Sequence, residues 1–516
     1  MTVERAMEGS TRRSTWLTSA ILFVTATALA AVMSPSVSIW TDEAVTISAA
    51  TRSLSELWDL IQRIDAVHAL YYAVMSVWVD LFGASPFSLR LPSALAGGGV
   101  AVGVHLLARV MTTPRTALVA AIVSMTLPRL TWGGIEARPF IFSALAAIWA
   151  TYFLAVALAR RRVAPWVAYT AAAVVGIGLN VYLVTLVAAH AVTVVLLARR
   201  DRFAIVGYIA AAAAAGVLSI PLLLLVRSQQ GQLGGNGDRS LPSIVRKILV
   251  NQFFLGETPD PDASAMWFTV AWQGAALLAA AVGIAAMLIA MVRPAAPGDD
   301  KRRVLATAIP WIILPTAAIG AYAVAVSPIY QPRYFTFTAP AAALLIAMGL
   351  RAAGRRWYIV VGVVLYAMSI AVIFVSQRTP FAKSGSDWSA VAGIIAQNRI
   401  EGDGVYFAPR YPDQRDVVEM TTRRIAASYP GFFGGLTDLT LERTGAETAT
   451  LDGFSRPIES AATPLSAQTR VWAIFNQKSL PAVRAESSEL FAKLGFEAEV
   501  VWNGPSTLVI EYTRSD

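Results

Sequence analysis

Apolar residues in this chain cluster in long runs that are separated by short polar segments. A helix needs about 20 apolar residues to cross the roughly 30 Å of hydrocarbon in a bilayer. We predict about eleven membrane-spanning helices, at 15–34, 89–109, 115–131, 139–159, 164–180, 181–198, 203–226, 265–292, 304–326, 335–350 and 357–376. The pattern therefore predicts a polytopic α-helical membrane protein.

A twelfth apolar segment, at 68–84, is short and amphipathic and contains Asp80. If this segment does not cross and the N-terminus is cytoplasmic, every basic cluster between spans falls on the cytoplasmic side, as the positive-inside rule requires. We therefore predict that 68–84 is an interfacial helix on the outer face. The clusters that decide this are Arg5, Arg12 and Arg13; Arg109 and Arg115; Arg160, Arg161 and Arg162; Arg199, Arg200 and Arg202; Arg293, Lys301, Arg302 and Arg303; and Arg351, Arg355 and Arg356.

Composition supports the membrane assignment and removes several classes of function. Of the 516 residues, 56% are hydrophobic and 15% are charged, against about 25% charged in an average soluble domain. The chain has no cysteine, which excludes disulfides, zinc–thiolate sites and cysteine nucleophiles. The net charge of +9 lies largely in the predicted cytoplasmic loops, so we predict no nucleic-acid partner.

Three large segments fall on the predicted outer face: a first loop at 35–88, a loop at 227–264 and the segment 377–516. The last of these alternates helix and strand signals, so we divide the chain into a transmembrane domain at 1–376 and a soluble extracytoplasmic α/β domain at 377–516. The signals are helices at 387–397 and 481–495, strands at 404–409 and 470–475, and a strand pair in 497–513.

Residues 16–33 are alternatively a cleavable signal peptide, although the apolar run is long for one.

Candidate chemistry lies in polar residues at the predicted outer ends of the spans. Nucleotide sugars are absent from that face, so an enzyme there needs an activated substrate delivered through the membrane. Asp42 and Glu43 follow the first span, and two acids at a membrane exit favour a water-filled cavity. Their functional interpretation is a general base, and the alternative is a hydrated helix cap.

A second group stands at the start of the predicted interfacial helix and contains Asp65, His68, Tyr71 and Tyr72. A histidine beside an acid and two tyrosines at a membrane surface could bind a phosphate or a sugar. The alternative is a histidine that only packs in the structure.

Arginines at predicted outer ends run against the positive-inside trend. They are Arg90, Arg138 and Arg333, with Glu136 close to the second and Tyr334 next to the third. One interpretation is snorkelling to lipid phosphates, and the other is a binding site for a phosphate group, which suits the guanidinium fork. Lys383, just after the last span, is interpreted as part of a hinge or of a lid contact.

These motifs resemble those of the GT-C integral-membrane glycosyltransferases, particularly the branch that contains protein O-mannosyltransferases and the lipid A aminoarabinose transferase. The resemblance covers roughly residues 15–390. The motifs are, in order, WTDEA, DAVHALYY, LFGASPFSLRLPSAL, EARPF, SPIYQPRYFTF and KSGSDW. At the second motif the chain departs from the family pattern, because His68 is followed by Ala69 and Leu70 instead of proline.

The resemblance implies an enzyme that moves a sugar from a polyprenyl phosphate to an acceptor on the outer face, with inversion. It implies that Asp42, with Glu43 beside it, is the catalytic carboxylate, and it implies no required metal, although the adjacent carboxylates leave a divalent cation open. Arg333 is the first choice for the leaving phosphate, with Arg138, Arg90 and His68 as helpers. Tyr71, Tyr72 and Tyr334 would line the sugar or lipid path, and Asp65 or Glu136 would hold a sugar hydroxyl or orient an arginine.

Alanine- and arginine-rich usage with only five lysines indicates a high-GC bacterium. We therefore predict a plasma-membrane mannosyltransferase whose acceptor is a cell-envelope glycan, a lipoglycan or other glycolipid, or a protein. Arabinosyl or aminosugar transfer by the same fold is the alternative. A lipid flippase or transporter is more remote, because the polar residues gather at span ends and no inverted repeat stands out. A receptor role would leave the acids and arginines unexplained.

Overall fold

The computed structural model describes residues 2–229, 240–256, 266–354, 357–410 and 421–514. Over these residues the chain is mostly helical. The helices are α1 Thr2–Ala31, α2 Thr41–Ala50, α3 Leu54–Arg63, α4 Ala69–Phe82, α5 Pro86–Met111, α6 Pro114–Thr126, α7 Pro128–Gly133, α8 Phe140–Ala159, α9 Ala164–Leu179, α10 Leu183–Ala198, α11 Arg202–Ser228, α12 Leu241–Arg246, α13 Met266–Val292, α14 Lys301–Ala325, α15 Ala339–Ala353, α16 Trp357–Ser376, α17 Trp388–Asn398, α18 Arg423–Ser428, α19 Pro430–Phe433, α20 Gly445–Thr448, α21 Ala462–Ser466 and α22 Pro481–Lys493.

Short segments of 3-10 helix lie at Ser34–Ser36, Ala66–His68, Pro332–Thr338 and Ile458–Ala461, and a π-helical turn lies at Lys247–Asn251. The strands are β1 Gly404–Phe407, β2 Thr437–Asp438, β3 Leu441–Arg443, β4 Phe454–Ser455, β5 Arg470–Asn476, β6 Phe496–Asn503 and β7 Thr507–Arg514.

The chain divides into two compact units. The helical unit contains residues 2–34, 90–256 and 267–377, and the sheet unit contains 35–89, 266 and 378–514, within the described ranges. The sheet unit thus combines the first predicted outer loop with the predicted C-terminal domain. Of the second predicted outer loop, at 227–264, residues 230–239 and 257–264 lie outside the described residues.

Each predicted span contains at least one helix or part of one, and most of these helices end where the sequence changes from apolar to polar. In the helical unit α8 packs against α9, α10 against α14, and α6 against α15. Within the described residues, eight helical segments, including Pro332–Ala353, are long and apolar enough to cross a membrane, and α6, α9 and α10 are apolar but shorter. The predicted membrane fold is confirmed, and the number of eleven spans stays a prediction.

Prolines break two of the predicted spans. The run at 115–131 is divided into α6 and α7 because Pro128 stands at the first position of α7, where its missing N–H costs nothing. The run at 335–350 starts as 3-10 helix and becomes α15 at Ala339, next to Pro340. Apolar periodicity alone does not indicate these breaks.

The segment predicted to lie in the interface forms the 3-10 turn Ala66–His68 and α4, of 14 residues. At 1.5 Å per residue α4 is about 21 Å long, which is too short to cross a bilayer. Val74, Val77 and Leu81 on one face of α4 are exposed, as is Phe82 at its end. This apolar face is what an interfacial helix would place in the lipid.

A five-stranded sheet in the order β2-β1-β5-β7-β6 organises the sheet unit. Strand β1 pairs in parallel with β2 and β5, and β7 pairs antiparallel with β5 and β6. The five inner residues of the central strand β5, 471–475, are all buried, as their apolar sequence predicts for a strand covered on both faces. The core includes a close stack of Phe491 on Tyr512, with ring centroids 3.9 Å apart. Strands or helices lie at each position predicted in 377–516.

Hydrogen bonds tie the first loop to the C-terminal segment within the sheet unit. Ser48 Oγ donates to the carbonyl oxygen of Leu451 at 2.7 Å, and Arg63 Nη1 donates to that of Thr448 at 3.3 Å. Arg52, which is buried, donates to the carbonyl oxygen of Thr450. The loop that carries the candidate carboxylates is therefore part of a folded unit with a core of its own.

The helical unit depends on close helix approach at glycine. A Cβ placed on Gly349 of α15 would lie 1.8 Å from the carbonyl oxygen of Ala286 on α13. We expect Gly349→Ala to force these helices apart and to lower stability by about 1–3 kcal/mol, the usual cost of overpacking. Fluorescence-detected size exclusion of detergent-solubilised protein after heating measures the loss. Gly362→Ala on α16, where a Cβ meets nothing within 4 Å, is the control, and equal melting of both variants would contradict the prediction.

Candidate functional site

The candidate residues fall into two groups, one in each compact unit. Asp42, Glu43, Asp65, His68, Tyr71, Tyr72 and Lys383 lie in the sheet unit, and Arg90, Glu136, Arg138, Arg333 and Tyr334 lie in the helical unit.

The adjacent carboxylates occupy the first turn of α2. Trp40 precedes the helix in an extended conformation, and Asp42 and Glu43 follow at once, where the positive end of the helix dipole favours negative charge. Glu43 is fully buried, whereas Asp42 is half-buried. Of the two residues, Asp42 is the one that retains exposed surface, although its Oδ2 atom is buried.

Glu43 forms a buried ion pair with Lys383. Lys383 Nζ lies 2.5 Å from Glu43 Oε1, and neither side chain has any exposed surface. Two buried charges of opposite sign compensate each other, and either one alone would be very costly. The pair joins the start of α2 to the turn that follows α16. Both side chains are therefore placed to hold α2 in position more directly than to contact a substrate.

The backbone leading to Asp42 is clamped by hydrogen bonds. Ser38 N donates to the carbonyl oxygen of Pro380 at 2.9 Å, and Ser386 Oγ donates to that of Ile39 at 2.7 Å. Ile39 N donates to the hydroxyl of Tyr429 at 2.9 Å. Contacts from two separate segments thus fix the chain immediately before the carboxylates, which is the support that a preorganised site requires.

Asp65, His68, Tyr71 and Tyr72 come together at the start of α4, as their spacing predicts. The Tyr72 hydroxyl donates to Asp65 Oδ2 at 2.9 Å, and the His68 ring meets the Tyr72 ring edge-on at 5.8 Å. Asp65 has a left-handed backbone with φ of 59°, a conformation in which aspartate is enriched. Tyr71 and Tyr72 are almost completely buried, whereas Asp65 and His68 are partly exposed. The buried tyrosines are therefore placed to hold the partly exposed side chains of Asp65 and His68 in position.

In the helical unit Arg333 lies against two adjacent aromatic rings, whose centroids are 5.4 Å apart. Its Cζ is 5.7 Å from the ring centroid of Phe140 and 5.7 Å from that of Tyr334, within the range of cation–π attraction. The carbonyl oxygen of Tyr334 accepts a hydrogen bond from Asn180 Nδ2 at 2.8 Å. The EARPF and QPRYF motifs, far apart in sequence, thus meet, and the half-buried Arg333 guanidinium is held in a fixed orientation.

Arg90, Glu136 and Arg138 are all buried. Arg90 Nη1 donates to the carbonyl oxygen of Ser34, which ties α5 to the end of α1. Ser93 Oγ donates to the backbone oxygen of Glu136 at 2.7 Å. Full burial favours a structural contribution for Arg90, while Arg138, two residues from Phe140, retains a small exposed fraction of 7%.

Arg129 and Arg378 are among the buried arginines that the sequence analysis did not identify. Arg129 in α7 donates to the carbonyl oxygen of Leu255 at 3.0 Å and so anchors the chain after the π-helical turn. Arg378, directly after α16, is 2% exposed, and burial lowers the pKa of its guanidinium to about 9, so it is still charged at neutral pH. Both follow or end an apolar run at a predicted outer end, which is the same signal that singled out Arg90 and Arg333.

Asn180 and Tyr182, between α9 and α10, were also missed. Tyr182 meets the Tyr334 ring edge-on at 5.8 Å. No charge or motif in the sequence marks these two residues, because they acquire their relation to Arg333 only through helix packing.

Within the described ranges, no group of three His, Asp or Glu side chains is arranged so that it could hold a metal ion.

A family model and solved structures are similar to this chain. Residues 69–225 match the model of the dolichyl-phosphate-mannose-protein mannosyltransferase family. No curated protein sequence matches the chain.

Several solved structures resemble the chain over nearly its whole length, and an ArnT and an AftD are among them. ArnT from Cupriavidus metallidurans bound to undecaprenyl phosphate is 15% identical, with a TM-score of 0.56 over 95% of this chain and 97% of that one. The arabinofuranosyltransferase AftD from Mycobacteria is 15% identical, with a TM-score of 0.51 over 98% of this chain and 40% of that one. These matches bear out the resemblance that the motifs indicate, and the chain has the GT-C fold of the integral-membrane glycosyltransferases.

Proposed function

We propose that this protein is a glycosyltransferase that uses a polyprenyl-phosphate sugar. The donor sugar is mannose, and the acceptor is a cell-envelope glycan, glycolipid or protein on the outer face of a bacterial plasma membrane. The N-terminus is cytoplasmic and the sheet unit is extracytoplasmic. The observation that carries the proposal is Asp42, a half-buried carboxylate at the clamped start of α2, in a chain with the GT-C fold.

Two comparisons support the donor class. The matched family model describes enzymes that use dolichyl-phosphate mannose. ArnT, which this chain resembles over 95% of its length, binds undecaprenyl phosphate in its solved structure. Both comparisons name a polyprenyl phosphate, so the lipid carrier of the donor is better supported than its sugar. The choice of mannose rests on the family model alone.

The chemistry needs one base and no general acid. The acceptor hydroxyl oxygen bonds to the anomeric carbon as the bond from that carbon to the phosphate oxygen breaks, and its electron pair leaves with the phosphate. The hydroxyl proton passes to Asp42, and the single displacement inverts the anomeric centre. Because a phosphate is a stable anion near neutral pH, it departs without being protonated, unlike the leaving group in most glycoside hydrolysis, which needs two carboxyl groups.

The leaving phosphate requires fixed positive charge. We assign this role to Arg333, whose guanidinium is oriented by Phe140 and Tyr334, with Arg138 as a helper. Asp65 and His68, both partly exposed, would contact the sugar, and Tyr71 and Tyr72 would position them. Glu43 and Lys383 position Asp42, and the buried Arg90 and Glu136 support the helices that carry the arginines.

Arabinosyl transfer is the second candidate, because the chain resembles the arabinofuranosyltransferase AftD. The two candidates share the fold, the lipid phosphate and the role of Asp42, and they differ in the sugar. Parallel assays with polyprenyl-phosphate mannose and polyprenyl-phosphate arabinose separate them. Transfer from the second donor alone would keep the mechanism and change the sugar.

Asp42→Asn removes the base with almost no change in shape. We expect it to abolish label transfer from radiolabelled polyprenyl-phosphate mannose in membranes of overexpressing cells, while donor binding and folding persist. Asp80→Asn, an exposed aspartate on α4 of the same unit, is the matched control and should be fully active. Transfer by Asp42→Asn at the wild-type rate would remove Asp42 as the base.

Arg333→Ala removes the charge assigned to the donor phosphate. We expect donor affinity and rate to fall by two or more orders of magnitude, about 3 kcal/mol, as for loss of a buried charge-assisted contact. Titration of purified protein with the donor measures the affinity. Arg227→Ala, an exposed arginine in the last turn of α11, controls for loss of positive charge. Donor affinity that is equal in both variants would overturn the assignment.

The Glu43–Lys383 pair makes a double-mutant test possible. Lys383→Met leaves a buried, uncompensated carboxylate and should cost about 3–5 kcal/mol of stability, whereas adding Glu43→Gln should restore most of it. Thermal unfolding of the purified variants measures both effects. If the pair positions Asp42, the restabilised double variant should have a reduced kcat with unchanged KM for the donor. A double variant as unstable as the single one, or a fully active one, would contradict this role.

A further inference from the structure

A cleft of about 240 Å³ lies within the sheet unit. Segments that are far apart in sequence meet there: the start of α2, the turn after α16, the ends of β1 and β5, the start of α18 and the β6–β7 turn. Among its described lining residues are Trp40, Thr41, Arg410, Arg424, Gln477 and Lys478.

Sheet topology marks this cleft as a binding position. Strands β1 and β5 are parallel neighbours, and residues that follow each of them line the cleft. The chain continues from β1 to β2 on one side of β1, while β5 pairs on the other side. The connection that leaves β1 therefore runs away from β5, and the chain that follows β5 continues to β6 and β7 on the opposite side of the sheet. In open α/β sheets, ligands bind outside the carboxyl ends of the strands at such a switch point.

The lining is cationic. It contains Arg410, Arg424 and Lys478 in addition to the paired Lys383, and none of its described residues is an aspartate or glutamate. Arg424 is 5% exposed. Its Nε donates hydrogen bonds to both carboxylate oxygens of Asp452, at 2.6 and 2.8 Å. Its buried Nη2 has no hydrogen-bond partner among the described residues. A buried guanidinium nitrogen in this state, at a cationic cleft, is suited to an anionic oxygen.

The remaining lining groups suit sugar hydroxyls. They are mostly hydroxyl and amide side chains, which both donate and accept hydrogen bonds, together with two tryptophans. Hydrogen bonds fix the loop after β5, since Gln477 Nε2 donates to Asn503 Oδ1 at 2.7 Å and Gln477 N donates to the carbonyl oxygen of Ser506 at 2.9 Å. Lys478, which follows, is exposed and extends from this fixed loop.

The cleft adjoins the candidate base within the same unit. Trp40 and Thr41, two of its lining residues, directly precede Asp42 in the chain. A molecule bound in the cleft therefore lies beside the first turn of α2. This is where an acceptor, as distinct from a donor lipid, has to be held if Asp42 takes its proton.

We propose that this cleft is an acceptor subsite that binds a phosphate-bearing sugar. The cations hold the phosphate, and the hydroxyl and amide groups hold the ring. Its assignment to the acceptor rests on the proposed function, whereas the binding of a sugar phosphate does not. The subsite limits the acceptor class to anionic glycans or glycolipids and disfavours an uncharged one.

Binding is testable on the purified full-length protein without a donor. The probes are glucose 6-phosphate, glucose and inorganic phosphate, measured by titration calorimetry at low salt. We expect glucose 6-phosphate to bind at least tenfold more tightly than either of the others. Lys478→Ala and Arg410→Ala should each weaken its binding about tenfold. Lys493→Ala, an exposed lysine on α22 outside the cleft, should leave the affinity within twofold of wild type.

Several outcomes would overturn the subsite. Glucose 6-phosphate binding that is absent, or equal in Lys478→Ala, Arg410→Ala and Lys493→Ala, places no site in the cleft. Inorganic phosphate that binds as tightly as glucose 6-phosphate reduces it to a phosphate site without sugar recognition.

A second measurement separates this proposal from the proposed function. Asp42→Asn should bind glucose 6-phosphate like wild type. In the transfer assay, Lys478→Ala should raise KM for the acceptor and leave kcat and donor KM unchanged. Cleft-dependent binding in a protein that transfers no sugar would retain the sugar-phosphate site and refute the transferase. Transfer with an acceptor KM that is unaffected by Lys478→Ala would refute the acceptor subsite and retain the transferase.

Discussion

The buried ion pair between Glu43 and Lys383 is the interaction on which the candidate site depends most. It places two charges where neither has exposed surface, so each requires the other. In doing so it joins the first turn of α2 to the turn after α16, and the hydrogen bonds of Ser38 and Ile39 reinforce the same junction. The residues before Asp42 are thus fixed by segments more than 300 positions away in sequence.

This arrangement separates two carboxylates that are adjacent in the chain. Helical geometry directs consecutive side chains about 100° apart, so one can point into the core while the other stays accessible. Glu43 is paired with Lys383, and Asp42 remains half-buried. Because the two carboxylates differ in burial, we propose that Glu43 positions α2 and that Asp42 acts as the base. We therefore also propose a positioning role for Lys383, which the sequence analysis interprets as part of a hinge or of a lid contact.

Much of the fold could be predicted because bilayer thickness and the alternation of strand residues leave a direct trace in the sequence. The helices at the predicted spans, the short α4 and the strands β1, β5, β6 and β7 are examples. The breaks at Pro128 and Pro340 were not predicted, since apolar content continues through them. Candidate acids and arginines could be found from their unusual positions, but the partner of Glu43 could not, because Lys383 is 340 positions away. The cleft at β1 and β5 was missed for the same reason: its residues are ordinary until the sheet brings them together.

The proposed reaction is the transfer of a sugar from a lipid phosphate to an acceptor, catalysed by this protein. The most direct measurement is made in proteoliposomes that contain the purified protein, doubly labelled polyprenyl-phosphate mannose and total cell-envelope acceptors. Labelled sugar in the product and free polyprenyl phosphate are then counted together. We expect one polyprenyl phosphate to be released for each sugar transferred. Donor that is bound or moved across the bilayer while its sugar–phosphate bond stays intact would contradict the proposed reaction.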